Sequence, residues 1–160
     1  MKRLLLFALL AGAVAVPVCF SGDQTHQARP LTADQLQWAA APNRLPSGAQ
    51  MAVLDGDPMH GAFVVRLKAP NGYTIPPHWH PTWERVTVIS GAMKIGMGDQ
   101  IEESKMQTLT QGGFVALPAE HHHYARTSGE TIVQIQGDGP FQITYVNAND
   151  DPQNKKRSGN

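Results

Sequence analysis

The chain has 160 residues, and its 13 Lys and Arg balance 13 Asp and Glu to a formal net charge of zero. A near-neutral chain with no patterned charge gives neither nucleic acid nor an anionic membrane an electrostatic handle, so neither is expected as a partner. Cys19 is the only cysteine, which excludes a disulfide within the chain and leaves core packing, helped by any bound ion, to hold the fold.

Met1-Lys2-Arg3 is followed by an almost wholly apolar run from Leu4 to Val18, and small polar residues begin at Ser21. That order is the mark of a secretory signal peptide, and the run is shorter than the roughly 18 to 20 residues a membrane-spanning helix needs. Residues 1–21 are therefore expected to be a cleaved leader, which makes the protein periplasmic or secreted and free of the membrane. What remains is the size of one domain.

Residues 22–50 read as an arm. Leu31 to Trp38 is compatible with a short helical turn or an extended segment, after which Pro42, Pro46 and Gly48 forbid anything long and regular. From residue 51 to 147 the signals are those of strands. Runs rich in Val, Ile, Leu and Phe are separated by Gly, Pro, Asn and Asp every eight to twelve residues or so. The expected strands are Gln50–Leu54, Ala62–Lys68, Arg85–Ser90, Ala92–Met97, Met106–Leu109, Phe114–Leu117, Thr131–Gln136 and Gln142–Val146. Phe63, Val65 and Leu67 alternate, as do Met93, Ile95 and Met97, so each set points to one face and can share an interior. The class is all-β. Residues 148–160, rich in Asn, Asp, Ser and Gly and carrying Lys155-Lys156-Arg157, are expected to form a disordered tail.

Five of the seven histidines lie in two short clusters. His78 and His80 are two apart, so on an extended segment both rings leave one face, and Glu84 has the same parity after a bend at Pro81 and Thr82. His121-His122-His123 starts at a turn and runs into a strand, from which one further nitrogen can reach across a barrel. Such a mixed set of imidazoles and a carboxylate suits one divalent Fe, Mn, Ni, Cu, Co or Zn, whereas Ca and Mg prefer oxygen alone.

The stretch Gly72-x5-His78-x-His80-x3-Glu84-x6-Gly91 resembles the first motif of the cupin superfamily at every fixed position. Gly112, Pro118, His123 and their spacing are similar to the second motif, with Glu120 where glycine is usual and Thr127 where asparagine is usual. The resemblance is to small single-domain cupins of the type-2 kind. It implies a double-stranded β-helix, or jelly-roll barrel, with a metal held by His78, His80, Glu84 and His123 near its mouth. The departure at Glu120 bears on the turn after Pro118, because the usual glycine often takes a positive φ.

Relatives of this kind include dioxygenases, isomerases and decarboxylases, so the resemblance implies a small-molecule enzyme of dioxygenase type. The alternatives are a metal-dependent isomerase or decarboxylase, or a non-catalytic binding or sensor module. His121 shares a side with His123 by alternation and is a candidate substitute ligand or proton carrier. Tyr124, Gln134 and Met93 are candidates for the pocket wall or for hydrogen bonds to the ligands. Trp79 and Trp83 have the opposite parity and are expected to pack behind the site, and Arg66 is expected to face outward. No Arg or Lys is clearly placed inside to grip an anionic substrate, and the partner is expected to be a small, largely apolar or aromatic molecule. Small cupins commonly dimerise through edge strands, a role open to the arm.

Overall fold

The computed structural model describes residues 28–157, with side chains through residue 154. The expected signal peptide lies outside the described residues. Among the described residues no helix is long and apolar enough to cross a membrane.

Nine strands make an antiparallel sheet that curls on itself: β1 (Ala39–Ala40), β2 (Gln50–Asp57), β3 (His60–Ala69), β4 (Thr74–Trp79), β5 (Glu84–Met97), β6 (Gln107–Thr110), β7 (Phe114–Leu117), β8 (His123–Asp138) and β9 (Thr144–Tyr145). The all-β jelly-roll expectation therefore holds. The two expected strands Arg85–Ser90 and Ala92–Met97 are one long strand, β5, with Gly91 inside it. The last expected strand shortens to β9.

β8 is the spine of the fold. Its first half pairs with β4 and its second half with β3, while β5 runs along its whole length on the other side. Register shifts at Val88/Ser90 and Ser90/Ala92 break the β5–β8 ladder around Gly91. Such irregularities bend and twist a strand, which lets two long ribbons roll into a barrel. Gly91 has φ +76°, and a Cβ there would sit 2.4 Å from the Glu130 carbonyl oxygen. Only glycine fits both constraints.

Inward side chains of β3, β5 and β8 fill the barrel. Phe63, Val65 and Leu67 meet Val133 and Ile135 from β8 and Val86, Val88, Met93 and Ile95 from β5. Each such side chain contributes about 1.5–3 kcal/mol by leaving water. Met97, expected in that interior set, is 43% exposed because β5 has run out of the barrel by its last residue.

β4 was not among the expected strands, because Pro76 and Pro77 interrupt its pattern. The structure tolerates them where the β4–β8 register slips between Ile75 and His78, so no ladder donor is needed there.

Of residues 148–160, expected as a disordered tail, 148–157 carry secondary structure and 158–160 lie outside the described residues. Ala148–Asp150 form a 3-10 turn, and Pro152–Arg157 form a short helix, α1. Pro152 suits the first helical position, and the Asp151 side chain caps the turn by accepting from the Gln153 N–H at 2.9 Å. Composition marks polar segments but not tertiary anchors. Here Asp151 pairs with Arg44 at 3.1 Å and Gln153 donates to Asn43 at 3.0 Å, while Tyr145 and Tyr73 donate to the Arg44 and Pro46 carbonyls. The arm and the C-terminal segment are thus clasped together beside β4.

Gly91→Ala should cost more stability than Gly129→Ala, which shares a positive φ of 81° but has open space around its missing Cβ. The difference expected in urea unfolding is at least about 1 kcal/mol, the φ strain alone being worth about 1–2 kcal/mol at both positions.

Candidate metal centre

His78 ends the bulged part of β4, His80 follows one residue beyond the strand, Glu84 opens β5 and His123 opens β8. All four are buried, at 3%, 5%, 6% and 3% exposure. Four buried polar side chains at the meeting of three strands require an account of every polar atom.

The Nδ1 atoms are accounted for by the backbone. That of His78 is 2.7 Å from the Pro76 carbonyl oxygen, that of His80 is 2.6 Å from that of Gln142, and that of His123 is 2.8 Å from that of His121. A carbonyl only accepts, so each Nδ1 carries the proton and each Nε2 keeps a bare lone pair. The ligand atoms of the three imidazoles lie within 4.8 Å of one another. Glu84 Oε2 sits among them, 3.5 Å from His80 Nε2 and 3.4 Å from His123 Nε2. His80 Nε2 is buried with no hydrogen-bond partner. Three lone pairs and an anionic oxygen around one point repel one another unless a cation or protons sit between them.

Burial pushes the His78 imidazolium down to a pKa of about 3, helped by repulsion from His123 and His80 against the opposing pull of Glu84. At Glu84 burial pushes the carboxyl up, and only protonated rings, through the charge of His80, a hydrogen bond from His123 and the charges of His123 and His78, would bring it down to about 2. His78 is thus neutral at neutral pH, the protonation state in which its ring can bind a divalent ion.

Two residues distant in sequence brace His80. Phe141 stacks on its ring with centroids 4.7 Å apart and planes 14° apart, and Gln142 supplies the carbonyl for Nδ1. Phe141 also meets Phe63 at 5.0 Å. Neither residue has a sequence signal, since the contacts span about sixty positions and one is made by a backbone atom.

The turn ahead of His123 keeps its shape despite the absent glycine. Glu120 has φ +61°, the sign a type II turn requires at its third residue, and His121 N–H donates to the Pro118 carbonyl at 3.2 Å. Glu120 N–H donates to the His80 carbonyl at 2.8 Å, which ties this turn to the end of β4. The Glu120 side chain is exposed.

Of the accessory candidates, Met93 lines the cavity beside the histidines and the others do not. His121 is exposed because β8 begins only at His123, so alternation does not reach back to it; its carbonyl, not its ring, serves the site. Tyr124 is buried on the opposite face of β8, where its hydroxyl accepts from Glu102 N–H at 3.0 Å. Gln134 also faces outward and accepts from Arg66 Nε at 3.3 Å, while its neighbours Val133 and Ile135 line the cavity. Trp83 does not pack behind the site; it is 46% exposed, with the Arg85 guanidinium 5.6 Å from its ring.

The family described as "Domain of unknown function (DUF4437)" matches residues 23–157, and the chain belongs to it. No curated protein matches the sequence. Among solved structures, the polyketide cyclase RemF from Streptomyces resistomycificus has a TM-score of 0.66 at 12% identity, over 81% of this chain and 93% of that one. A candidate acetylacetone dioxygenase from Methylibium petroleiphilum has a TM-score of 0.60 at 18% identity, over 79% and 85%. An RmlC-like cupin from Shewanella frigidimarina has a TM-score of 0.55 at 17% identity, over 68% and 87%. The fold is that of the cupin superfamily.

Two outcomes follow. Glu120→Gly should stabilise the protein by up to about 1 kcal/mol, because it relieves a left-handed strain of about 1–2 kcal/mol and gives back part of that as chain entropy. A loss of stability in urea unfolding would show that the Glu120 side chain does something else.

Acid should destabilise the metal-free protein. His78 binds its proton less readily folded, at about 3, than unfolded, near 6.5, so the unfolded chain holds more protons between those values. The stability is complete above pH 6.5 and falls as pH drops toward 3. A loss on the order of a few kcal/mol between pH 7 and pH 4 is expected. A flat profile in urea unfolding would mean that the site opens to water.

Proposed function

We propose that His78, His80, Glu84 and His123 hold one divalent transition metal ion, and that the protein is a small-molecule enzyme of dioxygenase type. One observation carries the metal reading: all three Nδ1 atoms are spent on carbonyls, so the bare Nε2 atoms and Glu84 Oε2 face one another, with His80 Nε2 left without a partner. Nitrogen and oxygen donors in this ratio suit Fe, Mn, Co, Ni, Cu or Zn.

A redox-active ion held by these four residues would supply the chemistry that brings dioxygen and an organic substrate to react. The chain's own residues do the rest. The carbonyls of Pro76, Gln142 and His121 set the tautomer and orientation of each ring. Phe141 covers His80 and keeps water from it. Glu84 contributes the negative charge that offsets part of the ion's own. Support for oxygen chemistry comes from likeness to the candidate acetylacetone dioxygenase and from an apolar cavity at the histidines. Export to the periplasm or beyond, proposed from the basic start and apolar run of residues 1–18, would make the protein take up its ion after leaving the cytoplasm.

Elemental analysis of the purified protein beside a His78→Ala/His123→Ala variant tests this. About one equivalent of a redox-active metal in the wild type, lost in the variant, is the expected result, followed by oxygen consumption with small neutral β-dicarbonyl or aromatic substrates. Wild-type protein that neither contains nor takes up a metal would sink the proposal.

A further inference from the structure

Three of the four candidate ligands stand on strands: His78 on β4, Glu84 on β5 and His123 on β8. Ladder hydrogen bonds fix the backbone beneath them. His80 has no such footing, because it lies one residue past β4, in the link to β5. Its ring is held instead from another part of the chain. Phe141 lies flat against it, with 4.7 Å between centroids and 14° between planes, and the Gln142 carbonyl accepts from Nδ1 at 2.6 Å. The stack fixes the plane of the ring, and the hydrogen bond fixes which edge turns away from the site. Together they leave Nε2 facing Glu84 Oε2, 3.5 Å away.

Residues 139–142 belong to no strand, so they need a footing of their own. The turn between β2 and β3 provides it. Gly139 N–H donates to the Gly61 carbonyl at 2.6 Å, and Phe141 N–H donates to the Pro58 carbonyl at 2.7 Å. The Phe141 ring also leans on Phe63 of β3, with centroids 5.0 Å apart. The approach is close: a Cβ on Gly139 would sit 2.7 Å from the Pro58 carbonyl oxygen and 2.8 Å from the His60 nitrogen. Asp57 stiffens this turn, accepting from Met59 N–H at 2.8 Å and lying 3.0 Å from His60 Nδ1. Contacts thus run from an exposed hairpin turn, through residues 139–142, to one ring of the site.

We infer that Phe141 is a positioning residue for His80, and that the β2–β3 turn sets the aim of that ring through Gly139 and Phe141. Without the flat face of Phe141 the ring regains torsional freedom and water reaches the Gln142 carbonyl. Nε2 then no longer points steadily at the other donors. What that aim serves rests on the metal reading given above. The ordering of the ring does not, and it holds for metal-free protein as well.

Two measurements on the purified protein test this. Proton–nitrogen correlation spectra of the metal-free imidazoles should show slowly exchanging Nδ1 protons on His78, His80 and His123. Phe141→Ala and Gly139→Ala should each lose the His80 proton and keep the other two, whereas Phe141→Tyr, which retains the ring, should keep all three. Phe141→Leu retains apolar bulk without a flat face; it should lose the His80 proton as well, and it replaces Phe141→Ala should that variant fail to fold. Titration with zinc ion against a competing chelator should show affinity weaker by at least about tenfold in Phe141→Ala and Gly139→Ala, and near that of the wild type in Phe141→Tyr. An unchanged His80 proton in the Ala and Leu variants, or loss of all three protons together, would overturn the positioning role. Gly139→Ala matching the wild type would overturn the part assigned to the turn. Selective loss of the His80 proton in a protein whose wild type takes up no zinc overturns the metal centre alone. Zinc uptake that none of the variants alters overturns the positioning role alone.

Discussion

Three hydrogen bonds from imidazole Nδ1 atoms to backbone carbonyls are the constraint on which the site depends. Each makes one ring nitrogen a donor toward the protein and so forces the other to be a bare acceptor. Because the rings enter from β4, the segment just after it and β8, the three acceptors converge, and Glu84 from β5 adds an anion to the same point. A set of acceptors with no donor is costly in a buried place. The surrounding fold has to be stable enough to hold it.

That stability comes from the β5–β8 ladder and the core it closes. Antiparallel pairing sets Glu84 at one end of β5 opposite Gly137 and Met97 at the other opposite His123, and the break at Gly91 bends the ladder between them. The same bend sets β4 against the start of β8, with His78 directly across from His123. The arm and the C-terminal segment reinforce this side. Tyr145, paired with His78 across β9 and β4, donates its hydroxyl to Arg44, and Arg44 pairs with Asp151. One run of contacts thus links the surface clasp to a histidine of the site.

The site and the cavity beside it share residues. His78, Glu84 and His123 form part of a wall that is otherwise mostly aliphatic, with Leu67, Val86, Met93, Ile95, Val133 and Ile135 in it. Apolar walls lower the local dielectric, so the acceptors would attract a cation more strongly here than in water.

The strand pattern, the class of fold and the two histidine clusters were legible in the sequence, because alternation and ligand spacing are local properties that survive in any context. His78, His80 and Glu84 share one face by parity, and the resemblance picked out His123 from three adjacent histidines. Local reasoning failed where a contact was made at long range. Pro76 and Pro77 hid β4 because their missing donors matter only if the neighbouring ladder is intact, and it is not. Alternation carried back to His121, and the choice of Gln134 and Tyr124 as pocket candidates, lacked the true start of β8 and the side on which β3 and Glu102 would lie. The polar tail gave no sign that Arg44 and Asn43 would hold it. The sequence by itself determined which residues have the chemistry to bind a metal and that His78, His80 and Glu84 share a face by parity. Only the tertiary structure decided which nitrogen of each ring faces inward, that Phe141 would cover His80, and which apolar walls border them, because each depends on backbone carbonyls and walls brought together from distant parts of the chain.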